Sequence, residues 1–187
     1  AAELEFYLLD QKPDSNGRPQ PARDVDGARP RSTQVYGLRE LEQIEPFLAD
    51  LYSACKLQGI PARTAISEYA PGQVEITLEH RSDALQAMDE AVRYKRLVKG
   101  VAHKHGMTAC FMAKPFGDRD GNGYHTHVSL LDRDGRNVFD DGTDKGSATL
   151  RHAIAGLADV MADSMLLLAP HRNSYRRLQR GVHGPLV

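Results

Sequence analysis

Carboxylates and imidazoles recur in this sequence at the two-residue spacing of a β-strand face. Glu3 and Glu5, then Gln73 and Glu75, then His125, His127 and Ser129 each fall on one side of a short alternating segment. Each set alone reads more readily as the wetted side of a strand than as a ligand set. If the three faces line one cavity, the gathered carboxylates raise each other's pKa unless a cation neutralises them. A divalent ion is the natural remedy. Ligation dominated by carboxylates with one imidazole suits Mg2+ or Mn2+ better than zinc, which favours thiolates and several histidines.

The elements that must carry these residues follow from pattern. Residues 4–9 read as a strand with Leu4, Phe6 and Leu8 on one face and Glu3 and Glu5 on the other. Residues 11–30, with four prolines and two glycines, read as an excursion loop. A helical stretch spans 38–58, marked by Leu41, Ile44, Leu48, Leu51 and Ala54; Pro46 is a candidate break and Gly59 a stop. Strands are expected at 60–67 and 72–79, the second alternating strictly through Val74, Ile76 and Leu78. Ser82 and Asp83 offer cap chemistry for a long helix with Leu85, Met88, Ala91, Tyr94, Val98 and Val101 on one stripe, ending near Gly106. Short strands follow at 107–113 and 124–131, separated by a glycine-rich loop, and Leu150, Ile154, Leu157, Met161 and Leu168 mark a last helix closed by Pro170.

Composition bounds the class. The chain has 187 residues, 41% of them apolar and 26% charged, enough for about one globular domain. With 24 basic against 25 acidic side chains there is no basic excess, so nucleic acid is not an expected partner. Cys55 and Cys110 stand far apart without a C-x-x-C, which fits a reducing cytoplasm rather than a disulfide framework or zinc site. No apolar run approaches the roughly 20 residues of a membrane span, and the first residues do not read as a signal peptide, so no membrane partner is expected. The glycine-rich loop lacks the Gly-Lys-Ser/Thr ending of a P-loop. Asp118-x-Asp120-Gly121 misplaces the glycine of an EF-hand, and a calcium module would need Asp118, Asp120, Asp132 and Asp134, from two loops, to form the tight site. Glu68 sits before a turn-like break and reads as a strand-end solvent contact, and the segment around Arg176 and Arg177 as a helix-to-loop junction.

Five segments in order, Glu3-Leu4-Glu5-Phe6, Glu68-Tyr69-Ala70-Pro71-Gly72-Gln73-Val74-Glu75, Lys114-Pro115, Gly121-Asn122-Gly123-Tyr124-His125-Thr126-His127-Val128-Ser129-Leu130 and Asn173-Ser174-Tyr175-Arg176-Arg177-Leu178, resemble the catalytic domain of the glutamine synthetase family. The wording of residues 110–115 is similar to the branch that contains gamma-glutamylpolyamine synthetases. The resemblance implies an α+β fold, a curved and largely antiparallel sheet with helices on one side. It implies an ATP-dependent ligase that phosphorylates the side-chain carboxylate of glutamate and lets ammonia or a small amine displace phosphate. Activation as an acyl phosphate splits one hard step into two, and the moving phosphoryl group needs its charge neutralised.

Position by position, the resemblance implies Glu5, Glu68 and Glu75 as ligands of one Mg2+ or Mn2+, and Glu3 and His125 as ligands of a second. It implies nucleotide contacts at His127 and Ser129, a backbone contact to glutamate at Gly121, and a substrate-holding, catalytic arginine at Arg177. Asp120 stands where many members have Asn, and His183 where a flap glutamate is expected. Residues 1–187 correspond to part of the catalytic domain, without the family's N-terminal beta-grasp domain or the later part of the catalytic domain. The expectation is therefore a homo-oligomeric cytoplasmic enzyme in full-length form, with this piece alone inactive or nearly so. The competing expectation is a non-catalytic relative kept for assembly or regulation.

Overall fold

Alternation of Glu3 and Glu5 with Leu4 and Phe6, followed by the apolar run Phe6 to Leu9, builds the strand around which the sheet forms. The computed structural model describes residues 1–178 and divides into two units, Ala1–Thr126 and His127–Val187. In the first unit β1 (Ala2–Asp10) is central to a five-stranded sheet whose pairings are all antiparallel. One edge of β1 pairs with β3 (Gln73–Leu78), which in turn pairs with β2 (Ala62–Ser67). The other edge is shared: β4 (Met107–Cys110) takes the Tyr7 to Asp10 half and β5 (Tyr124–Thr126) the Ala2 to Leu4 half.

Leu4, Phe6 and Leu8 of β1 point to one face, where Ile76, Phe47, Leu51, Tyr94 and Val98 complete a buried core. Two helices supply that cover. The 38–58 stretch is split, as Pro46 predicts, into α1 (Leu38–Glu42) and α2 (Glu45–Leu57), with the proline in the first turn of α2, where its missing N–H has no helical partner to lose. Beyond α2, Gly59 takes φ +64°, the left-handed turn that ends the helix. Helix α3 (Ala84–Lys104) is capped by Asp83, whose carboxylate accepts from the N–H groups of Leu85 and Gln86 at 2.8 and 3.1 Å. Its buried stripe holds Ala91, Tyr94, Val98 and Val101, but Leu85 is 79% exposed: the first turn is largely in solvent, so the apolar contact begins at Met88. Glu90, unforeseen in this stripe, is buried with Arg81 and Gln86 donating to it.

The opposite face of β1 carries the odd-numbered residues. Tyr7 and Leu9 are covered there by Ala70, Cys110 and Phe116, whereas Glu3 and Glu5 occupy the other half of the same face. The 11–30 excursion touches the sheet through an isolated bridge from Pro21 to Leu9 and an Arg29–Asp10 ion pair of 2.6 Å.

The expected strand at 124–131 stops at Thr126. Among the described residues β5 pairs with β1 alone, Thr126 standing opposite Ala2, and residues 127–130 lie outside any strand, so His127 and Ser129 do not continue the strand face of His125. In the second unit, α4 (Ala148–Leu168) starts at Ser147, whose hydroxyl accepts from Leu150 N–H at 3.2 Å, and a 3-10 turn spans Ser174–Arg176. The apolar stripe expected on α4 exists but none of its residues is buried; Ile154, Leu157 and Leu168 are exposed. No described helix is long and apolar enough to cross a membrane.

Candidate metal centre

Register, which local sequence does not state, brings the acidic residues together. Glu5 of β1 lies directly opposite Glu75 of β3, and Glu3 lies opposite His125 of β5, so three strands present these side chains to one place. His125 Nδ1 is 3.3 Å from Glu3 Oε2 and 3.7 Å from Glu75 Oε2, and its Nε2 is 3.9 Å from Glu5 Oε1. One ligand atom each from Glu3, Glu75 and His125 lies within 4.8 Å of the others. An octahedral ion with ligands at about 2.1 Å holds them roughly 3 to 4 Å apart, so the group needs only a small contraction to close on one.

The cluster is graded in exposure. Glu5, Glu68 and Glu75 are buried, Glu3 is partly covered, and the His125 side chain is 49% exposed, which leaves the open side at the imidazole. Burial, then the charges of Glu3, Glu5 and Glu68, pushes Glu75 up to about 7. Burial, then the Glu5 charge, pushes Glu68 up to about 7 as well, against a backbone N–H from Tyr69 that lowers it. Burial, reinforced by neighbouring charge, thus disfavours ionisation of Glu68 and Glu75, a condition that a divalent cation relieves.

The backbone leaves room for the cluster at one glycine. A Cβ on Gly123 would stand 2.6 Å from Glu5 Oε1 and 2.7 Å from His125 Nε2, so any side chain there would collide with both ligand atoms. Its carbonyl accepts from Glu5 N–H at 3.1 Å, holding the loop against β1. The sequence signal was visible, since Gly121-Asn122-Gly123 precedes His125, but it reads as turn freedom rather than close approach.

Glu68 is placed by the end of β2. Thr33 Oγ1 donates to its carbonyl at 3.1 Å, and Ser67 Oγ donates to the carbonyls of Gln34 and Gly37 at 3.0 and 3.3 Å. This tie brings in a residue that periodicity did not single out: Tyr36, at φ +60°, a left-handed conformation that costs a bulky residue energy. Tyr36 is exposed, and the charge of Glu68, then of Tyr69, raises its hydroxyl pKa.

The glycine-rich loop is tied to β1 and β3. Tyr7 donates its hydroxyl to the Asp120 carbonyl at 2.6 Å, Phe116 packs edge-on against Tyr7, and Arg119 stacks on Phe116 at 4.5 Å. Gly121 offers its carbonyl to Gln73 Nε2 at 3.0 Å. Glu3, Glu5, Glu68, Glu75, His125 and Gly121 thus all belong to the first unit. His127, Ser129 and Arg177 belong to the second, where His127 and Ser129 are exposed and Arg177 ends the 3-10 turn, its N–H donating to the Ser174 carbonyl at 3.0 Å. His183 lies outside the described residues.

The antiparallel α+β sheet has counterparts among known proteins. The model of the glutamine synthetase catalytic domain matches residues 1–187, and the chain belongs to the glutamine synthetase family. It is 44% identical over 187 residues to gamma-glutamylputrescine synthetase PuuA of Escherichia coli (strain K12), covering 99% of this chain and 39% of that protein. It is 36% identical over 152 residues to the glutamine synthetase of Thermus thermophilus, covering 80% of this chain and 34% of that one. Among solved structures, a GmaS/ADP complex superposes with a TM-score of 0.78 at 30% identity, covering 96% of this chain and 40% of that one. The chain thus spans about two fifths of the length of these relatives.

Proposed function

We propose that the protein acts as an ATP-dependent ligase that joins the side-chain carboxylate of glutamate to an amine through a γ-glutamyl phosphate. The single observation that carries this reading is the approach of Glu3, Glu75 and His125 ligand atoms within 4.8 Å, beside buried Glu5. In this reading Glu5, Glu68 and Glu75 hold one Mg2+ or Mn2+ and Glu3 and His125 hold part of a second, with Glu75 within reach of both positions. When bound, such ions offset the charge on phosphoryl oxygens as the group moves. Gly123 keeps the ligand atoms clear of backbone substituents, and the raised pKa values of Glu68 and Glu75 fall back as the cation replaces their protons. Gly121 and Arg177 hold glutamate, the guanidinium being suited to a carboxylate. His127 and Ser129 contact ATP.

The acceptor is an organic amine rather than ammonia. One observation supports this: the 44% identity to a gamma-glutamylputrescine synthetase exceeds the 36% to a glutamine synthetase. The working protein is a homo-oligomer of the cytoplasm. The test is phosphate release from ATP by the intact gene product with Mg2+ or Mn2+, glutamate, and a panel of a diamine, a monoamine and ammonia. Glutamate-dependent release that is faster with an alkylamine supports the proposal. Release with ammonia alone overturns the acceptor assignment, and no glutamate-dependent release overturns the whole reading.

A further inference from the structure

We infer that Gln73 is a positioning residue: its buried amide locks the Glu5 carboxylate to the 120–123 loop so that one carboxylate oxygen faces the metal position. Gln73 is 3% exposed and opens β3 opposite Tyr7. Its Nε2 donates to Glu5 Oε2 at 3.0 Å, to the Gly121 carbonyl at 3.0 Å and to Asn122 Oδ1 at 3.1 Å. Two N–H groups serve three acceptors, so one is shared between them. The orientation of the amide is determined by its neighbours. Asn122 Nδ2 donates to the carbonyls of Cys110 and Met112 at 3.1 and 2.8 Å, which turns its oxygen to Gln73, and an ionised Glu5 can only accept. Gln73 must therefore present nitrogen, leaving its Oε1 to accept from Ala70 N–H at 3.3 Å.

The consequence is a relay across the sheet. The end of β4 fixes Asn122, Asn122 and Gly121 fix Gln73, and Gln73 holds Glu5 Oε2, so Glu5 Oε1 is the oxygen left toward His125 at 3.9 Å. The same residue sets the turn behind Glu68, whose N–H donates to the Gln73 carbonyl at 3.0 Å. Outer hydrogen bonds of this kind orient a metal's ligands, and losing one costs about 10- to 100-fold in metal affinity.

This inference rests on the metal-dependent reading above, and its test separates the two. Mn2+ affinity of the intact gene product is measured without nucleotide, by the free-ion electron paramagnetic resonance signal, for the native protein and Gln73→Met. A cooperative melt in chelator above the assay temperature shows that the variant is folded. The expected result is saturable native binding and an affinity at least about tenfold weaker for Gln73→Met. Native binding with a Gln73→Met affinity within twofold overturns the positioning role while the functional reading stands. No native binding overturns both. Should Gln73→Met fail to fold, Gln73→Asn, which keeps both donors but retracts them by one methylene, is expected to weaken Mn2+ about threefold or more; unchanged affinity overturns the inference.

Discussion

Replacing Glu75 by Gln removes a charge but almost no volume, and the crowded carboxylates make the outcome depend on whether a cation is present. The Glu75 pKa lies at about 7 in the folded chain against 4.5 in its absence. A carboxylate raised in this way holds its proton more tightly folded than unfolded. Its stabilising contribution is therefore complete below about pH 4.5 and lost as pH rises through about 7. Full strength corresponds to about 3 kcal/mol, and since the cluster opens to solvent at His125, screening leaves about 1–2 kcal/mol. Without metal at pH 8, Glu75→Gln is expected to be more stable than the native protein by that amount, raising Tm by roughly 2–8 °C; at pH 5 the gain shrinks toward zero. With Mn2+ at about 100 times its Kd the native protein gains about 2.7 kcal/mol and the variant far less, so the order reverses. The assay is thermal melting at both pH values in chelator and in Mn2+. A variant less stable than native in chelator at pH 8, or one that gains as much from Mn2+, refutes the argument.

Gly123→Ala puts a methyl group against Glu5 Oε1 and His125 Nε2, and calorimetry is expected to show Mn2+ affinity weakened at least about tenfold with the core intact by circular dichroism. Asp83→Ala removes two capping bonds from α3 and is expected to cost about 1 kcal/mol in urea denaturation, with Mn2+ affinity unchanged. Phe6→Ala empties a fully buried site between Phe47 and Phe111, and the same denaturation curve is expected to lose about 3–5 kcal/mol.

Much of this was legible because it depends on local periodicity. The two faces of β1, the strict alternation of β3, the Asp83 cap and the break at Pro46 are all local, and the structure follows them. The gathering of Glu3, Glu5, Glu75 and His125 on aligned strand faces was half legible: period 2 places each on a face, but the pairings Glu5 with Glu75 and Glu3 with His125 are long-range and no spacing states them. Glu68 follows a strand rather than alternating within it, so only the family resemblance singled it out. The 124–131 alternation continues beyond Thr126, where the ladder to β1 ends, and a pattern cannot report where pairing stops. Leu85 shows the same limit for a helix: its stripe position is right, but what covers a stripe is tertiary. The Gln73 and Asn122 amides were illegible for another reason, since their function lies in hydrogen bonds to backbone carbonyls distant in sequence.

The central claim is that carboxylates from separate strands, with His125, gather around divalent cations. Calorimetric titration of Mn2+ into the intact gene product, set beside Glu3→Gln and Glu75→Gln, tests it most directly. The account predicts saturable binding that each substitution weakens by at least about tenfold. Native protein that takes up no Mn2+, or substituted proteins that bind it as the native one does, would contradict it.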